Sequence, residues 1–348
     1  MSTVDYKSSG VDAQKADEIL ESFSDYLKTR PQDPRLLSGI GPYASCFALK
    51  DLLNQYEDPL LVTCCDGVGT KAKLALDWNR IDHLGEDLIA MNVNDLLCVG
   101  GTPLLFLDYY ACGKLDRLQL LTLLKSIQRG CEMAHCSLAG GETAEMPGIY
   151  QNRDFDLAGF SVGMVDRKNL LGETKVRSGD TLIALASSGL HSNGYTLVRR
   201  LIAQEGILPE QFPPFGDRNW AEVLLEPTVI YVSALKNHFA SLTGLAHITG
   251  AGLYGNLPRI LPKGTQALVR SSSWKWTDLY LWLKEKTKLS TAELLSTFNC
   301  GIGMIAACRA EKAAELLEKI NAAGLSAWKI GEVIKGTEGA EPQVLWQN

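Results

Sequence analysis

The chain has no excess of positive charge: 34 Lys and Arg stand against 40 Asp and Glu, a net charge of −6. That balance leaves no electrostatic footprint for nucleic acid or an anionic membrane surface. No run reaches the ~18 consecutive apolar residues of a membrane span. The opening residues Met1-Ser2-Thr3-Val4-Asp5-Tyr6 carry neither a basic region nor an apolar stretch, which predicts no secretory leader and a cytoplasmic protein. The nine cysteines are odd in number and form no C-x-x-C pair, so zinc spacing is absent and a disulfide framework is not expected. They read as small buried hydrophobes. Neither a P-loop of the form G-x-x-x-x-G-K-[ST] nor a nucleophile elbow of the G-x-S-x-G kind is expected.

What is present begins with length. At 348 residues and 46% hydrophobic content, two domains with substantial cores are expected. Asp12 caps a predicted amphipathic helix to Lys28, with Ile19, Leu20, Phe23 and Leu27 on one face. A buried strand from Pro59 to Cys64 follows. Then come a helix near Asp82–Val99, a strand over Leu104–Ala111, a helix over Leu115–Ala134, and strands at Ser137–Ala139 and Leu157–Val165. The apolar pattern breaks at Asp166-Arg167-Lys168-Asn169, which places a domain boundary between 168 and 169. Strands at Thr181–Ala186, Leu245–Ile248, Gly301–Ala307, Trp328–Val333 and Val344–Trp346, with helices to Leu201 and over Ala310–Ala322, complete a mixed α/β pattern.

Three predicted strands empty into loops that combine glycine with a hydroxyl or a carboxylate. Cys65-Asp66-Gly67-Val68-Gly69-Thr70-Lys71 is the most informative. Its glycines let backbone N–H groups approach an anion, Lys71 adds charge, and Asp66 suits a divalent cation. Gly140-Gly141-Glu142-Thr143 and His247-Ile248-Thr249-Gly250-Ala251-Gly252 repeat the theme. Asn94-Asp95 sits among apolar residues, where an acid is costly unless paired or bound to a cation. Asp66, Asp95 and Glu142 thus offer hard oxygen ligands for Mg²⁺; a solvated turn at Asp66 and a hydrogen-bonded structural Asp95 are the plainer readings.

Gly39-Ile40-Gly41-Pro42-Tyr43-Ala44 and Gly250-Ala251-Gly252-Leu253-Tyr254-Gly255 imitate a dinucleotide fingerprint. The first follows prolines rather than a strand, and the second meets Pro258 at once with no ribose-binding acid beyond it. Hydride transfer is rejected; phosphate binding is kept for the second. His191, in Ser187-Ser188-Gly189-Leu190-His191-Ser192-Asn193-Gly194, either binds a substrate phosphate or carbonyl, acts as an acid or base, or fixes its own turn.

These strings, with Tyr6-Lys7-Ser8-Ser9-Gly10-Val11-Asp12, Phe106-Leu107-Asp108-Tyr109-Tyr110-Ala111 and Thr297-Phe298-Asn299-Cys300-Gly301, run nearly end to end. In that order they resemble the phosphoribosylformylglycinamidine cyclo-ligase (aminoimidazole ribonucleotide synthetase) family. Asp-Gly-Val-Gly-Thr-Lys alone would indicate only the wider superfamily, which includes selenophosphate synthetase and thiamin-monophosphate kinase. Gly141–Gly148 and His191–Tyr195 narrow it.

The resemblance implies a two-domain α/β protein of the α+β type. Its N-terminal domain, 1–168, would form a barrel across a homodimer, and its C-terminal α/β domain, 169–348, would close the cleft. It implies ATP-dependent ring closure of formylglycinamidine ribonucleotide to aminoimidazole ribonucleotide, releasing ADP and phosphate. By match, Asp66, Asp95 and Glu142 hold Mg²⁺. Lys7, Asp66, Gly67, Gly69, Thr70, Lys71, Asn94, Gly140, Gly141 and Thr143 meet ATP. His191, Ser192 and Asn193 face substrate, with Thr249, Gly250 and Gly252 around its 5′-phosphate, and Lys71, His191 and Asp95 are the catalytic candidates. Two positions depart from the family. Pro42 of Gly41-Pro42-Tyr43-Ala44 has no N–H to donate. Ala251 replaces a glycine, a mild change if φ there is negative. The alternatives are a kinase or selenophosphate-synthetase-like phosphotransferase on the same scaffold, although no Cys precedes Cys46, and a nucleotide-binding regulator without turnover.

Overall fold

Helix α1 (Ala13–Lys28) starts where the Asp12 carboxylate accepts from the Lys15 N–H, and its inner stripe buries Ile19 and Phe23. This computed structural model describes residues 10–41 and 43–347. Lys7 and Pro42, and with them the expectations placed on them, lie outside the described residues. After α1 come α2 (Lys50–Leu53), β1 (Pro59–Gly67), α3 (Lys71–Asp77), α4 (Leu84–Cys98), β2 (Thr102–Cys112), α5 (Arg117–Ala134), β3 (Ser137–Glu145) and β4 (Phe155–Asp166).

These strands form one sheet in the order β1-β4-β2-β3, antiparallel except for the parallel β2–β3 pair. Helices α4 and α5 cover one face, where Leu88, Ile89, Val93, Leu123 and Ile127 are fully buried. Each such side chain contributes about 2 kcal/mol through lost contact with water. On the opposite face α2 covers only one end, where its Leu52 packs with Leu104 and Met164, while Leu61 is 65% and Phe160 45% exposed. One transverse row reads Asp66, Gly159, Asp108, Gly141 from β1 to β3.

The second half contains β5 (Thr181–Ala186), α6 (Tyr195–Glu205), α7 (Trp220–Leu224), α8 (Val232–Leu235), β6 (Leu242–His247), α9 (Gly252–Asn256) and β7 (Thr265–Arg270). It ends with α10 (Asp278–Thr287), α11 (Thr291–Thr297), β8 (Ile302–Cys308), α12 (Ala313–Ala322), β9 (Ala327–Lys335) and β10 (Gln343–Gln347). The six strands run β10-β7-β9-β5-β8-β6. Both β5 and β6 are antiparallel to β8 between them, so they are parallel to each other and end at the same edge. That topology places the loop after β5 beside the loop after β6. The chain is thus a two-domain mixed α/β protein, each half built on its own sheet.

Two sequence expectations change. Gly140–Glu145 is not a loop but the continuation of β3, with a bulge at Ala139 where the register to β2 shifts. The string Gly159-Phe160-Ser161-Val162-Gly163 does carry the G-x-S-x-G spacing, but it runs through the middle of β4 and buries Ser161, so it is no elbow.

Candidate active site

The halves meet along α4. Asn92 fixes the end of β1 by accepting from the Asp66 N–H at 3.0 Å and donating to the Asp66 carbonyl at 3.2 Å. Asp66 accepts from the Gly67 N–H at 2.7 Å. Burial pushes its carboxyl up, the Gly67 N–H opposes this, and nearby Asp95 adds to the rise. Asp95 accepts from His247 Nδ1 at 2.9 Å, across the domain seam, which leaves His247 Nε2 as a buried acceptor without a described partner. Cys64 points its sulfur at Asp95, 3.8 Å away, and burial pushes that thiol up to about 12. A thiol that stays protonated at neutral pH is no nucleophile.

Asp66 and Asp95 therefore share one half-open corner, a donor set suited to a hard cation held by two carboxylates and substrate oxygens. Glu142 does not join them. It lies on β3, three strand spacings from β1, or ~14 Å at the usual interstrand distance. No group of three or more His, Cys, Asp or Glu among the described residues is arranged to hold a metal ion. The three-carboxylate cluster expected from the sequence is absent within one chain.

Lys71 is also displaced from its expected role. Its ammonium is fully buried and donates to Asp87 Oδ1 and the Glu226 carbonyl, both at 2.8 Å. Asp87 Oδ1 further accepts from the Thr228 N–H at 2.8 Å and the Thr228 hydroxyl at 2.6 Å, with Ser192 Oγ at 3.4 Å. Burial lowers the Lys71 pKa, and Asp87 offsets part of that. The lysine of the glycine turn is an interdomain staple rather than an open phosphate ligand. Asn94 is another: fully buried, it donates to the Val229 carbonyl at 2.8 Å and accepts from the Tyr231 N–H at 3.0 Å. Gly69, at φ +66°, and Thr70, whose hydroxyl lies 3.2 Å from that of Thr196, remain at the seam's surface.

At the C-terminal sheet edge, the loops after β5 and β6 face each other. His191 takes φ +60°, and its Nε2 accepts from the Ser188 N–H at 3.3 Å. Burial, with smaller contributions from His247 and Lys71, holds its pKa well below the usual value. The neutral ring then carries its proton on Nδ1, a buried donor with no described acceptor. A neutral ring so placed can act as a hydrogen-bond donor through Nδ1. Asn193 Nδ2 is a second such donor, and the Asn193 amide lies against Gly250. Asn256 turns the carbonyls of Gly250 and Gly252 inward, at 3.0 and 2.7 Å. The Gly252 N–H donates to the Thr249 carbonyl at 3.0 Å, so an anion at this loop would be met by its other N–H groups. Gly252 has no substitute: a Cβ there would lie 2.0 Å from the Leu295 carbonyl oxygen. Ala251 takes φ +73°, so replacing the family glycine is a strained change rather than a mild one.

Gly140, Gly141, Glu142 and Thr143 line a separate cavity of about 730 Å³, together with α1 and residues of the stretches Gly39–Gly41 and Tyr43–Ser45. The ATP residues expected from the sequence thus divide between the seam and this cavity. Sequence reasoning missed Asp87 and Asp108. Each is an acid in an apolar element, the same signal that marked Asp95.

Comparison with known proteins agrees with this architecture. Residues 50–165 match the AIR synthase related protein, N-terminal domain, and residues 177–341 match the AIR synthase related protein, C-terminal domain. The chain belongs to the AIR synthase related family. Thiamine-monophosphate kinase from Stenotrophomonas maltophilia K279a superposes with a TM-score of 0.66 at 16% identity, over 94% of this chain and 95% of the kinase. E. coli HypE gives 0.65 at 15% identity, over 96% and 92%. AaThiL complexed with AMPPCP and TMP gives 0.56 at 16% identity, over 99% and 96%. These likenesses establish the fold. Among the described residues, no helix is long and apolar enough to cross a membrane.

Proposed function

We propose that the protein is an ATP-dependent cyclo-ligase that closes formylglycinamidine ribonucleotide to aminoimidazole ribonucleotide. The observation that carries this is the facing pair of strand-end loops. There the buried donors His191 Nδ1 and Asn193 Nδ2 and the buried acceptor His247 Nε2 have no described partner. Buried polar atoms left unpaired cost about 1–3 kcal/mol each, a cost a bound substrate removes. In this reading, Thr249, Gly250 and Gly252 hold the substrate's 5′-phosphate. His191 and Asn193 donate to its oxygens, and Ser192 holds the loop through Thr228.

Asp66 and Asp95 would hold Mg²⁺, which would neutralise the triphosphate, with Gly67, Gly69 and Thr70 beside it. AMPPCP bound to AaThiL supports a nucleotide on this scaffold. The γ-phosphoryl group passes to the formyl oxygen, a poor leaving group until phosphorylated. The other nitrogen then attacks that carbon, and phosphate leaves with the oxygen. Positioning supplies most of the catalysis. Such a barrel, with β3 of one protomer beside β1 of the other, would bring Glu142 to the partner's Asp66. The exposed Leu61 and Phe160 face supports such closure.

A kinase reading is favoured by the superposition on thiamine-monophosphate kinase. The product separates the two: aminoimidazole ribonucleotide with free phosphate, against a stable phosphorylated compound. Asp66→Asn is expected to lower kcat at least a hundredfold with an unchanged unfolding temperature. Near-normal turnover would remove Asp66 from the site.

A further inference from the structure

The string Thr297-Phe298-Asn299-Cys300-Gly301 has no part in the chemistry above, yet it closes on the back of the loop after β5. Asn299, buried between α11 and β8, holds that loop on two sides. Its Oδ1 accepts from the Ser187 hydroxyl at 3.0 Å and from the Gly301 N–H at 2.8 Å, and its Nδ2 donates to the Gly189 carbonyl at 2.9 Å. The Tyr280 hydroxyl stands beside both acceptors, 2.6 Å from Asn299 Oδ1 and 2.8 Å from the Gly189 carbonyl. An amide meets a hydroxyl and a carbonyl at once because it joins an acceptor to a donor. Left-handed backbone at Cys300 (φ +49°) and Gly301 (φ +94°) turns the chain back, and the Gly301 carbonyl accepts from the Ser187 N–H at 3.0 Å.

Between the two residues so held lies Ser188, whose N–H is the donor to His191 Nε2. A backbone N–H can only donate, so the nitrogen it meets is bare and the proton of the neutral ring is on Nδ1. At 3.3 Å that bond is at the long end of the useful range, and a small turn of the 187–188 peptide would break it. The ring itself has little room to follow such a turn. A Cβ at Gly303 would lie 2.5 Å from His191 Cε1 and 1.9 Å from the Tyr231 hydroxyl, so backbone packs directly against the imidazole. The Tyr231 hydroxyl donates to the Ala186 carbonyl at 2.8 Å. The direction of one peptide N–H therefore decides which nitrogen of His191 carries the proton.

We infer that Asn299 is a positioning residue: by clamping Ser187 and Gly189 it aims the Ser188 N–H at His191 Nε2, and so fixes the tautomer that presents an N–H from Nδ1. It touches no substrate itself. Without the clamp the ring is free to carry its proton on Nε2, and a bare Nδ1 then meets a substrate oxygen acceptor to acceptor. The role of His191 toward substrate rests on the reading proposed above, whereas the tautomer is a property of the free protein.

Nitrogen NMR of the full chain labelled with ¹⁵N-histidine, near neutral pH and without substrate or nucleotide, reads the tautomer directly. With five histidines in the chain, His191→Gln assigns the signal. The wild-type protein is expected to show His191 protonated on Nδ1 and bare at Nε2. Asn299→Ala is expected to move the proton wholly or partly to Nε2, and Asn299→Ser, whose single hydroxyl cannot span both partners, gives the same shift where the alanine variant does not fold. Trp274→Phe loosens the same turn, removing the indole N–H that donates to the Cys300 carbonyl, but leaves the clamp and keeps the wild-type tautomer. A wild-type ring protonated on Nε2 overturns the inference, as does an unchanged tautomer in a folded Asn299 variant or an equal shift in Trp274→Phe. In turnover, a variant whose proton has moved should lose kcat about 100-fold with the ATP KM unchanged. Full kcat in such a variant would remove Asn299 from the positioning role. A wild-type protein with the expected tautomer that forms no aminoimidazole ribonucleotide would refute the proposed reaction and leave the clamp standing.

Discussion

Asp108, Asp87 and Lys71 show that a charged side chain in an apolar element has to be explained by its partner. Asp87 and Lys71 have each other, at 2.8 Å; Asp108 has none among the described residues, and its consequence is a pH dependence. Its carboxyl titrates near 7 in the folded chain and near 4 when unfolded. Between those values the folded state holds a proton that the unfolded state has lost, so stability rises as pH falls from 7 towards 4. Above 7 the folded state carries the full cost of a buried charge, at most about 4 kcal/mol. The Cys131 thiol on α5, pushed up by burial with a smaller contribution from Asp108, stays protonated throughout this range. Asp108→Asn should therefore unfold at a higher temperature than wild type at pH 8 without nucleotide, with the gap closing near pH 4.5. A gap independent of pH would contradict the placement of the carboxyl. At this scale the sequence was informative about residue type more than about role. His191 stood out, but that its ring is neutral and donates from Nδ1 depends on burial and on the Ser188 N–H.

Among elements, the ones readable from the sequence are those whose local signals and burial agree. Strand β5 falls on Thr181–Ala186 as expected, because six apolar-compatible residues lie between polar turns. Helix α1 begins at its Asp12 cap. Strand β3 runs on through Gly140 and Gly141, which in sequence look like a turn; Gly141 is required by the Asp108 carboxyl on the next strand, a tertiary cause invisible locally. Helix α11 carries a local signal of its own, the capping box that Ser290 and Glu293 form at its start. The staple joining α3, α4 and the 226–228 segment carries its own prediction. Lys71→Met leaves Asp87 buried with its charge unmatched, and should lower stability by about 3–5 kcal/mol in urea unfolding. A loss below about 1 kcal/mol, typical of a surface pair, would show that the bridge is not the interdomain fastening described above.

For the whole molecule, a mixed α/β architecture follows from the alternation of strands and helices, which the sequence displays. The strand order does not, and it is the order that separates Glu142 from Asp66 by three strands. Beyond the end that α2 covers, this face leaves Leu61 and Phe160 exposed, and in the dimer proposed above a second copy of this sheet would cover them. On the dimeric reading proposed above, Phe160→Asp should convert a dimer to a monomer in sedimentation analysis and lower turnover, since Glu142 would lose its counterpart. A dimer of unchanged affinity would place the interface elsewhere.

The central claim is that the formyl oxygen is phosphorylated and then expelled as phosphate. Formylglycinamidine ribonucleotide carrying ¹⁸O in its formyl group, incubated with the protein, ATP and Mg²⁺, tests it by mass spectrometry of the released phosphate. The account predicts one ¹⁸O atom in each phosphate formed and none in aminoimidazole ribonucleotide. Label recovered in water, or held in a stable phosphorylated product, would contradict it.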